Sequence, residues 1–351
     1  MTTMKEVAQQ AGVSVSTVSL VLNGRDSGRV KPQIAQRVRD TARALDYRPN
    51  PLARSLRTSR TRMLGFISME VATTPYAGGI ILGAQEAASE AGYLLTTVNA
   101  DGRGNLEQEV ATLHRYGVDG FLFSTMSNRV TDIPETLASY PLVLADATDA
   151  RNRFPSIVPD EVRIGRDATQ RLIDAGLTRI AYIGCTAPLV AQGLRFEGYR
   201  QALEGAGIAY REELVCDVLY NDEALHTVGR LFDEQRPDGV FCFNDSRAWY
   251  VYECAARRGL AIGSDVSVVG VDNHPVVSET FSPQLTTVEL PHYEMGYWAA
   301  TKLISLLSDF PRAEVQWPHT TAPMPPLDTP TPAMIHCTLI ERDSVRDTPK
   351  D

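Results

Sequence analysis

The chain has 351 residues, of which 43% are hydrophobic, and its formal net charge is −9. This length allows two or three domains that each bury a core, whereas no apolar run approaches the roughly 18 residues that span a bilayer. The opening segment MTTMKEVAQQ lacks the apolar core of a secretion signal, so we expect a cytoplasmic protein rather than a membrane or exported one. Five scattered cysteines without C-x-x-C or Cys/His spacing predict free thiols, and we expect neither a metal nor a cofactor.

The charge is distributed unevenly along the chain. Residues 1–62 contain 12 Lys and Arg against 4 Asp and Glu, whereas the remainder contains 22 against 39. A basic module is therefore joined to a larger acidic body. Clustered cations favour a polyanionic partner, because binding to phosphates releases counterions; the alternative is an ordinary solvated basic surface.

Two short helices are predicted at the start of the basic module. Thr3 followed by Glu6 is a capping-box pattern that begins the first helix, and Gly12 ends it. Ser14 caps the second helix, and two short helices joined by a glycine turn form a helix-turn-helix. The inner face of the second helix consists of Val18, Val21 and Leu22, and its outer face consists of Ser16, Ser19, Leu20 and Asn23.

The outer face of the second helix is slim and uncharged. It offers hydroxyls, an amide and methyl groups, which suit insertion into the major groove of DNA. In that interpretation Val15 and Leu20 meet thymine methyl groups, and Ser16 bonds a base or a phosphate; the alternative is that Leu20 packs on a neighbouring domain. A third helix is predicted from Lys31 and Pro32 onward.

The stretch KEVAQQAGVSVSTVSLVLNG, followed by YRPNPLARSLRT, resembles the amino-terminal domain of the lactose-repressor (LacI/GalR) family of bacterial transcription regulators. The resemblance implies a homodimer that binds a pseudo-palindromic double-stranded DNA operator, with one helix-turn-helix on each half-site. It places Val15, Ser16 and Leu20 where family members read bases, although Leu20 departs from the polar residue often found there. The expected DNA-binding residues are Val15, Ser16, Thr17, Leu20, Asn23, Asn50, Leu56 and Arg57.

The segment NPLARSL predicts a short hinge helix, with Asn50 as its cap and Pro51 at the first helical position. Seven residues are too few for a stable isolated helix in water, so the segment should become ordered only when other groups hold it. In the similar repressors two hinge helices pair in the minor groove and insert a leucine between base steps, and Leu56 matches that leucine. The alternative is that Leu56 is a linker residue packed on the body.

From Met63 onward, strand-like and helix-like segments alternate. MLGFIS, YLLTTVN, DGFLFS and PLVLAD predict buried parallel strands with helices around 78–91 and 105–116, and RIAYIG, GVFCFN and VSVVGVD repeat the pattern. The predicted fold is an all-α helix-turn-helix domain followed by an α/β core of two doubly wound parallel-sheet lobes. Ligands of such sheets bind beyond the carboxyl ends of the strands, where this sequence places carboxylates and amides that suit vicinal hydroxyls.

The body resembles the family's periplasmic-binding-protein-like core, through AGLTRIAYIG, LRFEGYRQAL, CFNDSRAWYVYECAARRGL, IGSDVSVVGVDN and SPQLTTVELP. The resemblance implies a helix-turn-helix domain over 1–48, a hinge over 49–62 and an effector-binding and dimerisation core over 63–351. The two lobes of that core are expected at about 63–159 with 292–310, and at about 160–290 with 333–345.

Effector-binding residues are expected beyond the strand ends and at positions that match the family's effector contacts. Arg195 ahead of EGY, Asn244 in FND and Asp272 in GVDN match such positions. The alternatives are a structural ion pair between Arg195 and Asp272, and ordinary core or surface roles for Tyr76 and Tyr220. The expected residues are Met69, Tyr76, Ser124, Asp146, Asp160, Arg195, Tyr220, Asn244 and Asp272.

Three features of the body depart from the family pattern or from helical expectation. Leu290 and His292 replace the polar and aromatic pair that some sugar responders carry after LTT. The tract 311–332 holds seven prolines and predicts an irregular insertion. Trp249 and Tyr250 lie on a predicted helix and indicate either a subunit interface or a lobe core.

The expected function is a DNA-binding repressor controlled by a small-molecule effector, with a sugar as the expected ligand, in the cleft between the lobes. One alternative is the same regulator controlled by a partner protein. Another is an α/β enzyme with an accessory DNA-binding module, but the sequence contains no G-x-S-x-G elbow, no phosphate-binding G-x-x-x-x-G-K-[ST] loop and no H-E-x-x-H. We therefore expect no enzymatic activity.

Overall fold

The computed structural model describes residues 2–47, 60–100, 106–307, 317 and 320–347. The chain divides into two compact units, Met1–Arg62 and Met63–Asp351. The hinge residues Asn50, Leu56 and Arg57 lie outside the described residues, so their roles stay predictions.

The first unit contains three helices, α1 (Met4–Ala11), α2 (Val15–Leu22) and α3 (Pro32–Ala44). The predicted capping box is confirmed: Thr3 Oγ1 accepts the Glu6 backbone N–H at 3.3 Å, and the Glu6 carboxylate accepts the Thr3 N–H at 2.7 Å. These two bonds satisfy donors that the first turn of α1 would otherwise leave open.

A small core holds the three helices together. Gly12 adopts a φ of 65°, a left-handed conformation that glycine reaches without steric cost, and so turns the chain between α1 and α2. The side chains that meet in the middle are short, which keeps the helices close. The buried core residues are Val7, Ala8, Ala11, Val18, Val21, Ala35, Val38 and Ala42.

Six parallel strands form the first sheet of the second unit, which defines the N-terminal lobe. In chain order they are β1 (Met63–Met69), β2 (Leu94–Ala100), β3 (Gly120–Thr131), β4 (Leu142–Asp149), β5 (Ser156–Pro159) and β11 (Ala333–Ile335). Their order in the sheet is β11-β5-β4-β3-β1-β2. The helices of this lobe are α4 (Gly78–Glu90), α5 (Leu106–Arg115), α6 (Glu135–Ala138) and α12 (His292–Leu307).

The second sheet defines the C-terminal lobe and also has six strands. They are β6 (Ile180–Cys185), β7 (Val215–Val218), β8 (Gly239–Cys242), β9 (Ser267–Asp272), β10 (Thr286–Glu289) and β12 (Thr338–Ile340). Their order is β12-β10-β9-β8-β6-β7, and β12 is antiparallel to β10 while the other pairs are parallel. The helices are α7 (Glu161–Asp174), α8 (Val190–Gly205), α9 (Asp222–Gln235), α10 (Asp245–Arg257) and α11 (Pro275–Ser278).

The chain passes from one sheet to the other three times, after β5, after β10 and between β11 and β12. The prediction that 333–345 lies wholly in the C-terminal lobe is therefore wrong for Ala333–Ile335. Those three residues pair with β5 of the first sheet, and only β12 joins the second. The Ala333 and Ile335 side chains are buried, which gives this short strand a place in the N-terminal core.

Glycines allow the helices of each lobe to approach closely. A Cβ atom added to Gly198 of α8 would lie 2.0 Å from the Val162 carbonyl oxygen of α7, and one added to Gly165 of α7 would lie 2.0 Å from the Arg195 carbonyl oxygen. In the N-terminal lobe, a Cβ on Gly296 of α12 would lie 1.9 Å from the Ile80 carbonyl oxygen. These contacts leave no space for a side chain between the paired backbones.

The structure locates the Trp249–Tyr250 pair and the proline-rich tract. Tyr250 is buried in the C-terminal lobe core, whereas the neighbouring Trp249 is 48% exposed, so the pair is divided between core and surface. The described part of the proline-rich tract, residue 317 and residues 320–332, contains no helix or strand. It packs on α12, where Trp298 Nε1 donates to the Pro325 carbonyl oxygen at 2.8 Å.

Candidate effector pocket and DNA-reading helix

A cavity lies between the carboxyl ends of the two sheets. Both sheets contribute, because lining residues lie within β3 and β4 on one side, and at or just after the ends of β8, β9 and β10 on the other. The volume accessible to water is about 20 Å³, which is room for about one water molecule. The lining residues are Tyr76, Met126, Ser127, Asp146, Glu161, Arg195, Phe243, Asn244, Asp272 and Leu290.

Asp146 lies within β4, and both of its carboxylate oxygens accept hydrogen bonds. The backbone N–H groups of Asn128 and Ser127 donate to Oδ1 and Oδ2 at 2.8 and 2.9 Å. Burial, with a smaller contribution from the Glu161 carboxylate, raises the pKa of Asp146 to about 8 in spite of these two donors. Asp146 itself has a φ of 52°, a conformation that non-glycine residues adopt mainly at turns and functional sites.

Arg195 forms a buried ion pair with Glu161, not with Asp272. Arg195 Nε donates to Glu161 Oε2 at 2.6 Å, Nη2 donates to Oε1 at 3.4 Å, and Nη1 donates to the Phe243 carbonyl oxygen at 2.6 Å. Burial alone would lower the pKa of Arg195, but the Glu161 carboxylate outweighs burial and raises it above the ordinary value. Of the five N–H donors of the guanidinium, three are used in these bonds.

Asp272 ends β9 and is 7% exposed. No described residue donates a hydrogen bond to its carboxylate, which lines the cavity. Burial and the nearby Asp245 carboxylate raise the pKa of Asp272 well above its usual range. Its φ of 114° is rare for a side-chain-bearing residue, and such strain collects at ligand sites.

Asp245 lies behind Asp272 and is held within the protein. Its Oδ1 accepts the Thr287 hydroxyl at 2.6 Å and its Oδ2 accepts the His274 backbone N–H at 2.8 Å. Burial raises the pKa of Asp245 to about 7. The carboxylate therefore fixes the loop after β9 rather than facing a ligand.

Asn244, Arg247 and Tyr220 form a polar cluster beside the cavity. Asn244 caps α10 and donates from Nδ2 to Tyr220 Oη at 2.9 Å, and Arg247 Nη1 donates to the same oxygen at 2.8 Å. Arg247 is buried, and its remaining donors reach the carbonyl oxygens of Gly184 and Val218. The Tyr220 ring is 62% exposed, so the cluster fixes the hydroxyl end while the ring faces outward.

An aromatic group closes another side of the cavity. The Tyr76 ring stacks on His292 with centroids 6.1 Å apart and contacts His274 edge-on at 5.5 Å. Buried nitrogens of both histidines, His292 Nε2 and His274 Nδ1, lack a hydrogen-bond partner among the described residues. Burial lowers the pKa of His292 to about 4, so its imidazole is neutral at pH 7.

The cavity brings together five of the nine predicted effector residues, Tyr76, Asp146, Arg195, Asn244 and Asp272. Tyr220 lies beside it through its bond to Asn244. The structure does not place the other three at the cavity: the Ser124 hydroxyl bonds the Ala145 carbonyl oxygen, Asp160 caps α7, and Met69 packs in the N-terminal core.

Several lining residues escaped prediction from sequence. Glu161 is the most consequential, since it takes the ion-pair position that we weighed for Asp272. A signal existed, because β5 is followed by two adjacent acids, of which Asp160 caps the helix and Glu161 enters the pocket. Leu290, which was noted as a departure from the family, lines the cavity. The remaining lining residues are Met126, Ser127 and Phe243.

The outer face of α2 is available for contact within the first unit. Val15 is 44% exposed and Ser16 is exposed, while Leu20 is half-buried. Asn23 Nδ2 donates to the Ser19 carbonyl oxygen at 2.6 Å. The hydroxyl of Thr17 lies 2.9 Å from that of the cap residue Ser14, so Thr17 belongs to the helix start. Their contacts with DNA stay predictions.

Comparisons with known proteins agree with this architecture. Residues 3–50 match the family described as bacterial regulatory proteins, lacI family, and residues 169–345 match the periplasmic binding protein-like domain. A DNA-binding head joined to a two-lobed ligand-binding-type core defines a transcription regulator. The chain belongs to the LacI family, which confirms the resemblance and the predicted fold class.

Individual relatives extend over most of the chain. The ribose operon repressor of Escherichia coli K12 is 34% identical over 314 residues, covering 87% of this chain and 92% of that protein. The sucrose operon repressor of Escherichia coli is 31% identical over 312 residues, covering 87% and 94%. A solved complex of the transcriptional regulator CelR with cellobiose is 28% identical, with a TM-score of 0.65, and covers 98% of this chain and 100% of that one. Control by a partner protein finds no support in these comparisons.

None of the helices in the described part of the chain is both long and apolar enough to cross a membrane.

Proposed function

We propose that the chain is a homodimeric repressor whose affinity for a pseudo-palindromic operator is set by a sugar bound between its lobes. The observation that carries the proposal is the cavity itself, where Asp146, Arg195, Asn244 and Asp272 converge from both sheets. Carboxylate, guanidinium and amide groups are the side chains that bind vicinal hydroxyls.

The cavity is too small for a sugar in the described conformation. Ligand pockets for small molecules measure roughly 300–1,000 Å³, whereas the water-accessible volume here is about 20 Å³. The lobes must therefore separate to admit an effector, and the three chain crossings after β5, after β10 and after β11 are the natural hinge. A ligand that favours one lobe angle then shifts the population that binds DNA.

The choice of a sugar rests on the donor set and on the relatives. The matched repressors are named for sucrose and ribose operons, and the matched CelR structure contains cellobiose. The polar groups that line this cavity fit the same ligand class. Binding of hydroxyls would satisfy the Asp272 carboxylate, which accepts no hydrogen bond from a described residue.

For the DNA-binding head we propose that α2 enters the major groove with Val15, Ser16 and Leu20 toward the bases. The exposed methyl and hydroxyl groups of this face support that role. We propose that Leu56 inserts between base steps in the minor groove and that the adjacent Arg57 contacts the DNA backbone. We further propose that the protein has no enzymatic activity and works in the cytoplasm, where a regulator of chromosomal DNA must act.

The decisive experiment is selection of bound fragments from fragmented genomic DNA by the full-length chain at about 0.15 M salt, which screens nonspecific phosphate contacts. We expect enrichment of one family of pseudo-palindromic sequences. Ser16→Ala and Leu20→Ala should each weaken operator binding by about tenfold, whereas Gln170→Ala, an exposed change on α7, should leave it unchanged. Failure of the unmodified chain to prefer any fragment over bulk competitor would refute the proposal.

A further inference from the structure

The cavity contains more negative than positive side chains. Asp146, Glu161 and Asp272 line it, against the single guanidinium of Arg195. Glu161 occupies Nε and one edge of that guanidinium through bonds of 2.6 and 3.4 Å. Because Arg195 is already neutralised inside the protein, it has no net positive charge to offer an anionic ligand.

Asp146 and Asp272 differ in the hydrogen-bond donors that the protein supplies to their carboxylates. Asp146 has a backbone N–H on each carboxylate oxygen, so its hydrogen bonds are supplied by the protein. Asp272 is more than nine-tenths buried, faces the cavity and receives no donor from any described residue. A carboxylate that faces the cavity without a donor from the protein gains most from a ligand that supplies one.

The surroundings of Asp272 make a cation the best partner. Asp245 lies behind it and Glu161 faces the same space, and both carboxylates disfavour a further negative charge. The opposing cations are committed elsewhere: Arg195 to Glu161, and Arg247 to carbonyl and hydroxyl oxygens around Tyr220. Burial, followed by the neighbouring carboxylates, raises the pKa values of Asp146 and Asp272.

We propose that the effector is a hydroxylated ligand that carries an ammonium group, an amino sugar, and that this group binds the Asp272 carboxylate. The inference rests on the proposed sugar control and specifies its ligand class. Hydroxyls of the same ligand meet the two free N–H donors of Arg195 and the Asn244 amide. Glu161 is then a specificity residue, since its charge cancels that of Arg195. The cavity is left with the two aspartates, which favour an amine over phosphate-bearing or carboxylate-bearing sugars.

The test uses the full-length chain and matched ligands that differ in one group. Isothermal titration at pH 7 compares D-glucosamine, D-galactosamine and D-mannosamine with D-glucose, D-galactose and D-mannose, and adds D-glucuronate as the anionic arm. We expect at least one amine to bind about tenfold or more tighter than its parent hexose, as expected for a desolvated charge pair. D-glucuronate should show no binding.

A variant of Glu161 tests whether this residue causes the preference for amines. Glu161→Gln keeps the shape of the side chain but removes its charge, so the ratio of amine to hexose affinity should fall toward one. The comparison of ligands on the unmodified chain stands even where this variant fails to fold. An undiminished ratio in a folded Glu161→Gln variant would overturn the role of Glu161.

The outcomes separate this inference from the proposed function. Hexoses that bind as tightly as their amines overturn the ammonium site and leave sugar control intact. If none of the seven compounds binds while the operator is still bound, both the amino-sugar inference and the sugar effector fall, and the DNA-binding function stands.

Discussion

The guanidinium of Arg247 lies against the ring of Tyr220, with Arg247 Cζ 4.6 Å from the ring centroid, and Arg247 Nη1 also donates to the Tyr220 hydroxyl at 2.8 Å. The two residues are therefore joined both through the ring face and through its polar end. Arg247 is buried, while the ring of Tyr220 is largely exposed. The buried cation fixes the position of an exposed aromatic surface beside the pocket.

Replacement of Arg247 by methionine should destabilise the core. The change leaves the carbonyl oxygens of Gly184 and Val218 without their donor, and we expect a loss of about 2–4 kcal/mol in the free energy of unfolding. Urea unfolding followed by circular dichroism measures it. Tyr220→Phe is the matched control: it removes the hydroxyl that accepts bonds from Arg247 and Asn244 but leaves the buried guanidinium in place, and it should cost less than half as much. Equal losses in the two variants would contradict this account.

The Glu161–Arg195 pair should behave as one unit. Glu161→Ala alone leaves a buried guanidinium without its carboxylate, and the free energy of unfolding should fall by about 3–5 kcal/mol. The double variant Glu161→Ala with Arg195→Ala removes both charges and should lose less than the sum of the two single changes. Strict additivity in this double-mutant cycle would show that the pair contributes no coupling.

Gly198 and Gly193 offer a comparison within one helix. A Cβ on Gly198 would meet the Val162 carbonyl oxygen at 2.0 Å, whereas one on Gly193 would meet nothing within 4 Å. Gly198→Ala should therefore force α7 and α8 apart and cost about 1–3 kcal/mol or more. Gly193→Ala should instead gain up to about 1 kcal/mol from helix propensity. Differential scanning calorimetry of both variants checks the sign, and a stabilised Gly198→Ala variant would refute the close contact.

The lowered pKa of His292 predicts that the protein loses stability in mild acid. Its folded pKa of about 4 lies below the usual value of 6.5, so the unfolded chain binds more protons between these values and stability falls as the pH drops through that range. From this residue alone the loss at pH 5 relative to pH 8 should be about 2 kcal/mol. His292→Phe keeps an aromatic ring against Tyr76 and should remove that part of the pH dependence. Parallel urea titrations of both proteins at pH 5 and pH 8 would show it.

Local patterns predicted most of the fold. The capping box at Thr3 depends on residues three positions apart, and the predicted strands of the body begin and end close to their observed limits. The placement of Ala333–Ile335 could not be predicted in the same way. That strand pairs with residues 157–159, and the choice between two sheets depends on contacts far apart in the chain.

The pocket was predictable where an aspartate ends the apolar run of a strand, as Asp146 and Asp272 do. The sequence did not predict pocket residues whose side-chain direction depends on the exact residue at which a helix begins. Asp160 accepts the Arg163 backbone N–H as a cap, and only this places Glu161 in the first turn with its side chain against Arg195. The division between Trp249 and Tyr250 has the same origin, because adjacent residues on α10 point to different sides of the helix.

The late strands β11 and β12 have a consequence for synthesis of the protein. They lie within eight residues of each other, yet each completes the outer edge of a different sheet. A chain released by the ribosome before residue 333 would contain the folded helix-turn-helix unit, but each of its two sheets would lack an edge strand. Such a fragment would join a complete DNA-binding unit to an incomplete effector-binding core. The unpaired sheet edges of that core would be the first targets of degradation or aggregation.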